Sequence, residues 1–126
     1  MLPEVFPLLA AASAVTSLIG TNPVRAYRHG RAPQGTAAPY VTWFLVTGLP
    51  ENTLDEVPRV DRHEVQVDCW SENTGQGSKD IEALAKAVRD AIEPHAHMTA
   101  EVFDGIDEDT QRYRIGMQFT FWTDRS

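Results

Sequence analysis

The sequence is short of cysteine: it has one, Cys69, in 126 residues. That excludes an intramolecular disulfide and any metal site built on several thiolates, so packing has to hold the interior together. Positive charge is also scarce. Eleven Lys and Arg stand against eighteen Asp and Glu, a formal net charge of −7, which repels phosphate and speaks against a nucleic-acid reader. Long apolar runs are missing, and none approaches the roughly 20 residues that a membrane-spanning helix needs. The opening "MLPEVFPLLAAASAVTSLIG" has no basic flank and carries Glu4 and two prolines, so it is expected to be mature structure rather than a leader. No Gly-rich phosphate loop, nucleophile elbow or paired-carboxylate spacing occurs. No cofactor and no catalytic group are expected.

What is present fits a single domain over residues 1–126, with 42% hydrophobic and 23% charged residues. Between Pro3 and Ile19 the residues Val5, Phe6, Leu8, Leu9, Val15, Leu18 and Ile19 recur at spacings of three and four, which predicts one amphipathic helix stopped by Gly20. "TNPVRAYRHGRAPQGTAAP" reads as a loop of about twenty residues with a short extended piece, "VRAY", and loops of that length usually have a use. Tyr40 to Thr47 is rich in β-branched and aromatic residues on both alternation sets, the mark of a strand covered on both faces. A turn is expected at "GLPENTLDEVPR". Beyond it "VDRHEVQVDCW" alternates, with His63, Val65, Val67 and Cys69 on one face and Arg62, Glu64, Gln66, Asp68 and Trp70 on the other.

A second helix is expected from an N-cap at Ser78, with Ile81, Leu84, Ala85, Val88 and Ile92 on one face and Pro94 ending it. "HMTAEVFDGI" and "RYRIGMQFTFW" then form a hairpin across an acidic turn. The expected fold is α+β: a single, mostly antiparallel four-stranded sheet with two main helices packed on one face.

The chemistry-bearing residues do not assemble into a reactive site. Cys69 and His63 share a face, but six residues of strand separate them by roughly 20 Å, too far for a nucleophile and its base, and a buried structural thiol is the better reading. His95 and His97 are two ligands without a third, and "DGIDEDT" lacks the alternating acids and closing Glu of a calcium loop. Charge, by contrast, is unevenly placed. Arg25, Arg28 and Arg31 with His29 crowd the long loop, whereas Glu101, Asp104, Asp107, Glu108 and Asp109 crowd the C-terminal hairpin. Opposite patches on separate elements suit a head-to-tail contact, which closes into a ring where the rotation allows. Two solvated loops would look the same.

A more specific indication comes from order and spacing. An "F-x-L-L" helix is followed by "RAYRHGRAPQGTAAPYVTWFLVTGLPENTL", and then by "RVDRHEVQVDCW" leading into "ALAKAVRDAI". This series resembles the tail completion proteins of long-tailed, siphovirus-like bacteriophages, the small terminators that cap the tail tube, over nearly the whole chain and more weakly after residue 95. The resemblance implies a non-enzymatic virion protein at the head-proximal end of the tail. Its partners would be further copies of itself in a hexameric ring, the tail tube protein and the head-tail connector, with DNA passing through the lumen unbound. It implies that Arg25 to Ala37 and Pro50 to Pro58 lie at ring or tube contacts, with Arg25, Arg28, Arg31, Asp55, Glu56 and Trp70 as interface candidates. Glu101, Asp104, Asp107, Glu108 and Asp109 would line the lumen or an interface, where negative charge repels DNA. Another neck protein, a head-completion or connector subunit, is the alternative in the same setting. A small-molecule-binding α+β module or a monomeric host protein is the alternative outside it.

Overall fold

The computed structural model describes residues 2–53 and 56–124, with side chains for 2–47 and 61–123. In chain order the elements are α1 (Val5–Ala10), α2 (Ser13–Ile19), β1 (Ala26–Arg28), β2 (Tyr40–Thr53), β3 (Glu56–Ser71), α3 (Gly77–Ile92), β4 (His97–Ile106) and β5 (Tyr113–Asp124). The strands make one five-stranded sheet in the order β1-β2-β3-β5-β4. All neighbours are antiparallel except β1, which runs parallel to β2. Because β3 and β4 are both antiparallel to β5, they run parallel to one another, and α3 makes the crossover between them.

The α+β class is as expected, and three details differ. First, the sheet has a fifth strand. "VRAY" supplies β1, held at the edge of β2 in the register Ala26↔Val41 to Arg28↔Trp43 and by the Val41 amide donating to the Arg25 carbonyl at 3.0 Å. Three residues are too few to show an alternating pattern, so only the pairing reveals the strand.

Second, the expected first helix is two helices, broken where Ala12 adopts an extended conformation (φ −92°, ψ 108°). Leu9 and Val15 are six residues apart, about one and two-thirds turns, so a straight helix would point them about 120° apart. The break lets both face the core, where each is fully buried.

Third, the turn expected over residues 48–59 is mostly strand. β2 runs to Thr53 and β3 begins at Glu56, with Pro50 opposite Asp61; the crossing between the strands lies outside the described residues. Prolines are tolerated here because β1 ends beside Trp43 and β5 ends beside Val60. Past those points, among the described residues, each strand has a free side that needs no amide donor.

The helices cover one face of the sheet. Val5, Leu9, Val15 and Ile19 from α1 and α2, with Ile81, Leu84, Val88 and Ile92 from α3, pack on Val41, Trp43, Val65, Val67, Cys69, Ile115, Met117, Phe119 and Phe121. The stripe on α3 is the expected one, but the helix starts at Gly77 rather than after a Ser78 cap. Gly77 is buried, and a β-carbon there would collide with the Glu72 carbonyl oxygen. The entry of α3 is fixed instead by the Ser71 hydroxyl, which donates to the Gly77 carbonyl at 2.7 Å.

Candidate functional site

The sheet face turned away from the helices carries a polar and aromatic network. Alternation puts Trp70, Asp68, Gln66 and Glu64 of β3 on this face, opposite Arg114, Gly116, Gln118 and Thr120 of β5. Tyr40 stacks on Trp70 with ring centroids 5.8 Å apart, and the Trp70 indole donates to the Thr42 hydroxyl at 3.0 Å. The Arg114 guanidinium lies over Trp70 and Phe103, donates to Asp68 at 3.3 Å and faces Asp107 at 3.6 Å. Gln66 donates to the other Asp68 oxygen at 2.9 Å. Gln118 and Thr120 both donate to Glu64, at 3.2 and 3.1 Å. Gly116 leaves the room for this: a β-carbon there would stand 2.6 Å from Asp68 Oδ1. Most of these groups find partners inside the subunit, with the buried Arg114 Nε left unpaired among the described residues and Asp68 and Asp107 sharing one guanidinium, and the cross-strand bonds stiffen the sheet.

Trp70, expected at an interface, is 8% exposed and belongs to this network. Its place in the alternation was legible; the covering by Tyr40 and Arg114 is tertiary. Cys69 and His63 both lie buried on the helix face, and His63 Nε2 meets the Thr123 hydroxyl at 3.1 Å. Burial first, and the Asp68 carboxylate second, push the Cys69 thiol far above its ordinary range, so it stays protonated. His95 and His97 are exposed. Among the described residues no group of three His, Cys, Asp or Glu could hold a metal ion.

The expected basic and acidic residues separate by role. Arg25 is half-buried and ties the loop to the body, its guanidinium donating to the Pro39 carbonyl at 3.0 Å and the Leu18 carbonyl at 3.2 Å. Arg28, His29 and Arg31 are exposed. Asp107 closes the β4–β5 turn by accepting from the Thr110 amide and hydroxyl at 3.0 and 3.1 Å. Glu101, Asp104, Glu108 and Asp109 are exposed. Asp55 lies outside the described residues, and of Glu56 only its backbone, at the start of β3, is described.

The strand order assigns these groups to opposite borders of the sheet. β1, with Arg28, is one edge, and β4, with Glu101 and Asp104, is the other. Four strand spacings of about 4.8 Å put the two edges about 19 Å apart. Arg28 pairs with Trp43, while Glu101 and Asp104 pair with Met117 and Ile115, so all three project to the helix side. Arg28 also borders a cavity of about 20 Å³ with Leu2, Pro3, Val5, Trp43, Leu45 and Val65, room for about one water. A larger, open groove of about 330 Å³ runs between α2 and α3, and the charged side chains that line it, Lys86 and Asp90, pair with each other at 2.7 Å.

Sequence reasoning missed the apolar component of the edges. Leu2, Phe6, Leu45 and Val46 are exposed near β1 and β2, and Val102 and Ile106 are exposed on β4. The signal in the sequence was faint: Val102 and Ile106 sit among acids in a strand whose apolar residues do not alternate.

Residues 3–124 match the family model described as "Tail completion protein gp17". A search of curated proteins found no match. Among solved structures, a chain of "Virion of native gene transfer agent (GTA) particle" is similar, with a TM-score of 0.69 and 19% identity over 95% of this chain and 91% of that one. At that identity the likeness is one of fold.

Proposed function

The chain belongs to the tail completion protein gp17 family, and on that premise we propose that it caps the head-proximal end of a phage-type tail tube as a hexameric ring. In this reading it is a structural virion component that halts tube growth and offers the joining surface for the head connector. The observation that carries the reading is the extent of the family match, which takes in every element of the fold.

The geometry suits the role. A ring subunit must present two different surfaces that fit one another, and this sheet has two edges of opposite character. The β2–β3 hairpin runs on past the last β5 pairing at Val60 and gives the subunit a projecting arm for the tube rim. A net charge of −7 repels phosphate and favours passage of DNA without binding.

The test is negative-stain microscopy of purified tail tubes mixed with the protein, alongside light scattering of the protein alone. Density closing one end of each tube, together with arrest of further polymerisation, is the expected result. Tube ends that stay bare and continue to grow at any protein concentration would sink the reading.

A further inference from the structure

The two edges differ in more than the residues already named. Between Glu4 and Glu51 the chain has no acidic residue, and its charged side chains there are Arg25, Arg28 and Arg31. That stretch holds β1 and nearly all of β2. In a chain with eighteen acids, β1 and β2 as far as Pro50 thus carry none, with Glu4, between the cavity-lining Pro3 and Val5, the exception beside them, while the other edge gathers negative charge.

Apolar exposure follows the same division. Leu2 and Leu45 border the cavity beside Arg28, and Phe6 packs on Trp43 with ring centroids 6.4 Å apart. Leu2, Phe6 and Leu45 are 41–44% exposed, and they form one apolar patch on the helix side of the basic edge. On the acidic edge Ile106, 47% exposed, pairs with Tyr113 and so shares the helix side with Asp104, whereas Val102, 43% exposed and set in the register shift, lies against Gly116 on the other face. Protein contacts that persist in water join an apolar centre to a charged rim, and both edges are made this way with opposite sign.

Simple strand addition is discouraged. β4 has irregular register between Met98 and Ala100 and between Glu101 and Phe103, and β2 between Leu45 and Thr47. Bulges of this kind keep an edge from templating indiscriminate sheet growth. What remains for recognition is side-chain charge and apolar fit.

We propose that copies of this chain join edge to edge and head to tail, the Arg28 and Arg31 edge of one copy against the Glu101 and Asp104 edge of the next. The occupant of each edge is a second copy, because the complementary surface is on the same molecule and on the same side of its sheet. Side-by-side copies then meet without either being turned over. The inference rests on the ring reading above and gives it an interface.

Reversing one edge at a time tests it. In R28E/R31E both edges are negative, and in E101K/D104K neither edge is. Each variant repels or fails to attract its own copies, yet the two remain complementary to each other. Arg28, Arg31, Glu101 and Asp104 are all exposed loop or edge positions, so both variants are expected to keep the wild-type circular dichroism and melting temperature.

Capping of tail tubes is scored by microscopy for wild type, for each variant alone and for an equimolar mixture. The expected result is at least a tenfold loss of capped ends with either variant alone, and recovery in the mixture as rings of alternating copies. If folded variants cap alone as well as wild type does, or if the mixture stays as poor as its parts, the edge pairing is wrong while capping stands. If wild type caps nothing, the ring reading falls and this inference with it.

Discussion

Asp68 sits at the junction of the two faces of β3. On the outer face its carboxylate is held by Arg114 and Gln66, and through the strand its charge acts on the neighbouring Cys69. The thiol is fully buried and keeps its proton in the folded state well beyond the pH at which an exposed thiol ionises, about 8.5. The sign for stability follows. Above about pH 8.5 the unfolded chain has lost this proton and the folded chain has not, so stability falls as pH rises, by up to about 1.4 kcal/mol per pH unit. Below that pH the group contributes no slope. Urea unfolding of wild type and Cys69→Ala at about pH 8 and pH 10 checks this: the variant is expected to be less stable throughout but to decline less steeply. Equal slopes would show that the thiol titrates alike in both states. Much at this scale was legible in the sequence. The alternation of His63, Val65, Val67 and Cys69 identified the core face, and burial of a lone cysteine followed from its chemistry. The burial of Trp70 was not, because what covers it comes from β2 and β5, far away in the chain.

Among the elements, the β2–β3 hairpin is the one whose length the core does not require. Its proximal part lies between β1 and β5, whereas among the described residues the backbone from Glu56 to Arg59 pairs only within the hairpin. Replacing residues 52–59 with a two-residue turn between the paired Glu51 and Val60 is therefore expected to shift the melting temperature by only a few degrees, the scale of about 1 kcal/mol in a domain this size. Tube capping, measured by microscopy, should be lost if the hairpin is the arm that reaches the rim. Retained capping would move the tube contact elsewhere. The sequence misled here because Gly, Pro, Glu, Asn and Thr are turn residues almost anywhere, and only an unpaired strand side makes the prolines acceptable. The break between α1 and α2 was hidden for the opposite reason. Three alanines read as good helix, and the interruption serves the packing of Leu9 and Val15 rather than any local preference. The stripe of α3 was legible because it is periodic over the whole helix, and the pairing of β4 with β5 because β5 alternates and an acidic turn precedes it.

For the molecule as a whole, charge position was visible in the sequence, but its meaning was not. Arg28 and Glu101 could have lain side by side; the strand order that puts them on opposite edges depends on β5 folding back between β3 and β4. The acid-free stretch between Glu4 and Glu51 and the acidic remainder then give the subunit a dipole across its sheet. Two copies approaching in the same orientation attract before they touch, and a copy turned end for end meets like charge. The field acts over roughly a Debye length, about 10 Å at 0.1 M salt, and so governs how fast correctly oriented copies meet more than how tightly they hold. Stopped-flow light scattering during capping should accordingly slow about tenfold or more between 0.05 and 0.5 M salt while the final extent of capping changes little; a rate indifferent to salt would count against steering. A row of such dipoles has unsatisfied ends of opposite sign until it bends round and they meet. Self-closure is then a property of the subunit's polarity, and a completed ring offers an additional copy no attractive end to join.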